Sequence, residues 1–251
     1  MPMHAHDIDD VADIVGTIVA DTTATADSRG YFAALYRQVT LEVRRGITAG
    51  DFDDGARMST FDAAFANRYF TAYESSPPPT RSWRVTFDAV SSSPLIVLQN
   101  LLLGINAHIN LDLAVVTGTS FHGRDLVDFR ADYDRINGIL AELIPRIRRA
   151  IARFSPLLGL LGPVDDGLDS ILDFSFERAR DSAWAAATLI SAQGPETVPL
   201  VVTEIDVATS RLGQLIARPD EPAATLLRLI RRTESKDVPA IITALDTVAV
   251  P

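Results

Sequence analysis

The sequence predicts an all-α fold, on three observations. Apolar residues recur at intervals of three and four between proline-marked breaks, the period of a helix face. No convincing hairpin signal, repeat period or strand–helix alternation interrupts that pattern. The stretch Leu95–Val116 is apolar on nearly every side, as expected of a helix enclosed by others. We read a single compact helical domain over residues 29–251 around this central apolar helix. An acidic segment over residues 1–28 precedes it and carries a peripheral helix.

The elements follow in order. Ile8, Val11, Ile14, Val15, Ile18 and Val19 predict a helix near residues 8–20, after a loose end that holds His4 and His6. Phe32, Leu35, Val39 and Val43 predict a second helix from Tyr31 to Ile47, with Gly50 just beyond its end. Ser59 followed by Asp62 resembles a capping arrangement at the start of a third. That helix carries Phe61, Phe65, Tyr69 and Tyr73 in strict four-residue register, a stripe normally found in a core. Pro77, Pro78 and Pro79 then enforce a break. Trp83, Phe87 and Val90 fit a short helix, although Val85–Phe87 also reads as a strand.

Pro94 suits the first turn of the central helix. Residues 125–154 continue the helical pattern, interrupted by Asn137–Gly138 and by Pro145, where a kink is expected. Ser155–Pro163 is an apolar loop or short helical turn that belongs to the core or to the mouth of a pocket. Asp166 to Ala192 returns to helical spacing, with inward Leu168, Ile171, Leu172 and Phe174 and an alanine-rich end. Thr197 is placed to cap a helix running to Arg218, and Ala223–Arg232 and Val238–Val248 complete the chain.

Composition narrows function. The chain lacks cysteine, which excludes disulfides, thiolate metal sites and a cysteine nucleophile. Lys236 is the only lysine, which leaves little room for Schiff-base chemistry. A formal charge of −10 opposes nucleic acid and anionic lipid, so neither is expected as a partner. Gln99, Asn100, Asn106, His108, Asn110 and Asp112 make the central stretch too polar for an ordinary membrane span. No basic stretch precedes an apolar run at the N-terminus, so the expected location is cytoplasmic.

The chemistry concentrates in Gly104–Asp112, G-I-N-A-H-I-N-L-D. At about 100° per residue, Gln99, Asn106 and Asn110 share one side of the helix, and His108 and Asp112 share another. Polar groups taken into a core need partners, at about 1–3 kcal/mol for each group left without one. This constellation therefore predicts a closed polar network, an organic-ligand pocket or a divalent metal site. An enzyme built on it would use His108 as acid and base, oriented by Asp112, with Asn106 or Asn110 binding a polar substrate atom. As metal ligands, His108 and Asp112 would be joined by Asp128 and Asp132, two carboxylates on one side of the following helix that need an arginine or metal between them. Arg124 and Arg135 are nearby candidates, and His122 lies in the intervening turn. A second charged cluster, F-E-R-A-R-D-S-A-W, places Arg178 three residues before Asp181. These two, with Asp128, are candidates for substrate binding. No dinucleotide, P-loop or nucleophile-elbow motif occurs.

The run N-A-H-I-N-L-D-L at Asn106–Leu113, the D-F-x-x-x-x-x-x-I-N beginning at Asp128, and A-R-D-S-A-W at Ala179–Trp184 resemble a bacterial domain family of unknown function, DUF5995. The resemblance spans most of the chain. It implies a helical domain and points again to His108, Asn110 and Asp112, but brings no substrate or mechanism.

The resulting expectation is a small-molecule enzyme with a buried His/Asp/Asn site, metal-assisted or not. The alternative is a noncatalytic ligand-binding or scaffold protein using the Pro156–Pro163 loop and the alanine-rich helix. Either is compatible with a homodimer.

Overall fold

A helix whose whole circumference is apolar is stable in water only when other helices cover it, and this requirement organises the molecule. In the computed structural model, which describes residues 2–122, 124–161 and 167–248, all regular structure among the described residues is helical. The side chains of Arg124 and of Leu168, Ile171, Leu172 and Phe174 lie outside that description, as do residues 162 and 163 of the expected apolar turn and Asp166 at the expected helix start.

Three N-terminal helices form one wall. α1 (Ile8–Thr25) is capped by the Asp7 carboxylate, which accepts from the Asp9 and Asp10 amides. Its buried Val11, Val15 and Ile18 pack into the same core as α2 (Gly30–Ala49) and α3 (Gly55–Glu74). The N-terminal end is pinned rather than loose. Asn67 bridges the backbone of Ala5 with two hydrogen bonds of 2.8 Å. Gly50 ends α2 with a φ of 77°, as its position predicts. α3 begins one turn earlier than Ser59 and Asp62 suggest, because Asp54 is its cap. Ser59 instead accepts from the Ile8 amide, and Asp62 turns inward.

α4 (Arg81–Ser92) is helical, which settles the Val85–Phe87 ambiguity. Its first amides, at Arg81 and Ser82, donate to Asp206 at 2.8 and 2.9 Å, so a distant carboxylate supplies the negative charge that a helix start favours. The central rod runs from Val97 to Ser120 and is mostly buried. By length and composition it is apolar enough to cross a bilayer, contrary to the expectation from its polar residues, but the other helices cover it. It starts at Val97 rather than Pro94, and Glu234 accepts from the Val97 amide at 3.0 Å. The rod is α5 (Val97–Ile105), a π-helical stretch (Asn106–Leu113) and α6 (Ala114–Ser120).

Phe129 divides the next segment into α7 (Arg124–Asp128) and α8 (Arg130–Phe154), and α8 continues through Asn137–Gly138 and Pro145. After α9 (Pro156–Leu161), α10 (Gly167–Ser191) lies along the rod, and α11 (Val198–Ala217) packs on α4 and the π stretch. Thr197 makes no side-chain cap to α11. α12 (Ala223–Thr233) and α13 (Val238–Leu245) close the chain, and Asp246 after α13 pairs with Arg37 on α2 at 2.9 Å.

Two glycines let the rod approach its neighbours. A Cβ at Gly104 would stand 2.3 Å from the Phe32 ring, and one at Gly118 would stand 2.7 Å from the Ala187 carbonyl. Leu101, Leu103 and Leu111 of the rod are fully enclosed, each contributing about 1.5–3 kcal/mol by leaving water.

Candidate functional site

The site begins with the π-helical stretch. Its wider turn brings residues four apart closer to alignment than an α-helix does, and such segments occur frequently where proteins carry function. His108 and Asp112 accordingly meet, with Nδ1 of the imidazole 3.2 Å from Oδ2 of the carboxylate. Both are buried, at 2% and 1% exposure.

Three donors converge on Asp112. Trp83 of α4 gives its indole N–H to Oδ2 at 2.8 Å, and Arg68 of α3 gives its Nε–H to Oδ1 at 2.8 Å. A carboxylate only accepts, so the shared hydrogen bond requires the proton on His108 Nδ1. Nε2 is then a bare acceptor, and it is buried with no hydrogen-bond partner among the described residues. Burial holds the imidazole below its usual pKa, outweighing the Asp112 carboxylate that pulls the other way, while Arg68 adds to the depression. The ring is neutral at neutral pH.

Aromatic side chains fix its plane. Phe65 stacks on the imidazole at 3.7 Å between centroids and 11° between planes, and Tyr36 meets it edge-on at 4.7 Å. Phe32 makes a second edge contact at 5.7 Å. The stripe read from α3 is thus core, as such stripes normally are, and also the wall against which the histidine is held.

His108 lines an interior, overwhelmingly apolar cavity of about 70 Å³. The same cavity is lined by Asp62 of α3, 6% exposed, whose Oδ2 is buried with no partner among the described residues. Desolvation pushes the Asp62 carboxyl up to about 7. Tyr36, also on the lining, is held well above its ordinary value by burial, with the Asp62 and Asp112 charges adding to the effect. Arg180 of α10 also lines it and is 5% exposed.

The remaining sequence candidates lie elsewhere. Asn106 and Asn110 leave the opposite side of the rod, as their angular position requires. Asn106 donates to the Thr209 carbonyl at 2.9 Å, and Asn110 donates to Asn106 Oδ1 at 3.0 Å. They line a separate groove of about 270 Å³ with Arg178, so neither reaches a substrate atom in the His108 cavity. Asp132 is fully buried, but its carboxylate accepts from the Asp53 amide at 2.7 Å and from Arg57 at 2.7 Å. Asp128 and Asp181 are exposed. His122 is exposed and close to the Ser191 carbonyl at 3.2 Å. The set His108, Asp112, Asp128 and Asp132 is therefore not assembled. Among the described residues, no three His, Asp or Glu side chains are arranged to hold a metal ion.

A family model described as a family of unknown function (DUF5995) matches residues 8–219. The chain belongs to the DUF5995 family. No curated protein and no solved structure matches it. The matched span of this DUF5995 chain contains Tyr36, Asp62, Arg68, Trp83, His108, Asp112 and Arg180, and it leaves out α12 and α13.

Three members of the site escaped the sequence reading. Asp62 reads locally as a capping residue, although it stands three and seven residues before Phe65 and Tyr69, on the face of the aromatic stripe. Arg180, not Arg178, is the inward arginine of its helix, and its spacing of four from Phe176 and three from Ala183 carries that signal. Arg68 has no such mark, because its link to Asp112 joins residues 44 apart in the chain.

Proposed function

We propose that this chain is a small-molecule enzyme that transfers protons within the interior cavity, with His108 as the base and Asp62 as the acid. The observation that carries the reading is the bare, buried Nε2 of His108 on the cavity wall, its tautomer set by Asp112. An imidazole held neutral and a carboxyl raised to about 7 are the two partners that acid–base chemistry needs near neutral pH. Asp112 orients the ring and stabilises the imidazolium formed when Nε2 takes a proton, as an orienting carboxylate does in other histidine-based sites. The π turn beneath His108 supports the same reading. Metal assistance draws no support from the donors, since Trp83, Arg68 and His108 already surround Asp112.

The test is deuterium uptake from D2O by small organic compounds with an acidic C–H bond, followed by mass spectrometry. Uptake with the wild-type protein and its loss in His108→Gln, at unchanged helicity, is the expected result. Equal uptake by both proteins overturns the proposal.

A noncatalytic ligand-binding role is the second reading, favoured by the apolar cavity walls, and binding without exchange would distinguish it. For the scaffold version, Leu158, Ala183 and Ala187 of the segments it relied on are buried, while Ala185 and Leu189 of the alanine-rich helix are exposed, as are Leu200, Leu212 and Leu215 of α11 and Leu226 and Leu229 of α12.

A further inference from the structure

Among the described residues, one charge on the cavity wall has no ion-pair partner. Arg180 is a buried guanidinium, and its partners are neutral: the Asn137 side-chain carbonyl, the Tyr133 main-chain carbonyl and the Tyr133 ring, 4.2 Å from its carbon. Among the described residues no carboxylate comes within the 4.0 Å of an ion pair with it. Asp134 and Asp181 act on it only through space. Asp134 is engaged by Arg130 at 2.6 Å, and Asp181 faces solvent. Burial lowers the Arg180 pKa from its very high ordinary value, but guanidinium groups in proteins stay protonated. A buried cation normally has a counter-charge, because an unpaired ion taken out of water is strongly destabilised. Among the described residues, none of the other ionisable groups on the lining forms an ion pair with it. His108 is neutral, the Tyr36 and Tyr133 phenols are held protonated, and Asp62 is protonated below about 7.

Apart from Arg180, Tyr36, Asp62, His108 and Tyr133, the lining is apolar, with Phe61, Phe129, Ile136, Leu140 and Phe176 among its members, and so favours a ligand that is mostly hydrocarbon. The cavity is small, about 70 Å³, which limits an alkyl group in it to a short chain. Val39 and Phe65 are the half-buried members of the lining and mark where it comes nearest the surface.

We infer that the cavity binds a short-chain monocarboxylate, with the carboxylate paired to Arg180 and the alkyl part against the phenylalanine and leucine walls, directed toward His108. Arginine suits this task because its planar fork matches a carboxylate in a two-point hydrogen bond. The inference rests on the proposed function only in taking the same cavity as the site. Binding at Arg180 does not depend on catalysis at His108.

The experiment is calorimetric titration of the full chain with propionate and with its neutral isostere propionamide, repeated on Arg180→Met and His108→Gln. Propionate is expected to bind wild type at least tenfold more tightly than propionamide. Arg180→Met should abolish the difference, and His108→Gln should retain it. Should Arg180→Met fail to fold, the propionate–propionamide ratio in wild type, with the Arg180 Nε–H resonance followed during titration, decides the question alone. A ratio near one, or a preference that survives in folded Arg180→Met, overturns the inference. Deuterium exchange on neutral compounds without propionate binding would sink this inference and leave the proton-transfer reading intact. Propionate binding with exchange unaffected in His108→Gln would do the reverse.

Discussion

Asp112 Oδ2 lies 3.2 Å from His108 Nδ1, and this one contact places the imidazole proton on the side away from Nε2. The carboxylate is held by the Trp83 indole and the Arg68 guanidinium, so the orientation of the histidine is controlled from α3 and α4 as well as from its own helix. That arrangement gives the first prediction its sign.

Asp112→Asn replaces a pure acceptor with an amide that can present N–H to the ring and favour the wrong tautomer. Proton-transfer activity should fall by about three to four orders of magnitude, the scale seen when an orienting aspartate is so changed. The ¹⁵N spectrum of His108 reports the tautomer directly. An unprotonated Nε2 persisting in Asp112→Asn would refute the assigned role.

Stability should carry two opposing pH slopes. The Asp62 carboxyl is raised from 3.8 to about 7, so the folded state holds a proton that the unfolded chain has released across that interval, and stability falls as pH rises from about 4 to 7. The loss totals up to about 4 kcal/mol, from about 1.4 kcal/mol per pH unit. His108 acts oppositely. Its folded pKa lies below 6.5, so below that pH the unfolded chain binds the proton first and stability falls on acidification. Asp62→Asn should gain on wild type steadily from pH 4 to 7 and by a constant amount above, measured by urea unfolding. A constant difference across the whole range would contradict the buried acid.

Phe65→Ala removes the ring stacked on His108 at 3.7 Å. The cost should be about 3 kcal/mol, the low end for a phenylalanine truncation because the residue is half-buried. Water then reaches the imidazole, and its pKa should rise toward the ordinary histidine value in an NMR titration. An unmoved pKa would show that desolvation comes from elsewhere.

Asn106→Ala tests whether the far polar face is structural. It strips the Thr209 carbonyl and Asn110 of their partner and should cost about 1–2 kcal/mol in thermal unfolding. Deuterium exchange in the cavity should stay within twofold of wild type. A larger loss would return Asn106 to the catalytic set.

The helices were readable because their causes are local: apolar spacing, Pro77–Pro79, Gly50 and the aspartates near Ile8 act within a turn or two of where they stand. The two polar faces of the central helix were readable too, since angular position follows from residue number. Helix starts at Arg81 and Val97 were not, because the carboxylates that receive their amides, Asp206 and Glu234, are more than 120 residues away in sequence. Local pattern left several acids and arginines looking equivalent, among them Asp62 beside Asp132 and Arg178 beside Arg180. Packing divided them. Asp132 met Arg57 and two amides, while Asp62 met an apolar hollow; Arg178 came to the surface groove, while Arg180 turned under Tyr133. The chemistry of a titratable side chain depends on its solvation and its neighbours' charge, and both are properties of what the fold brings within a few ångströms rather than of what lies adjacent in the chain.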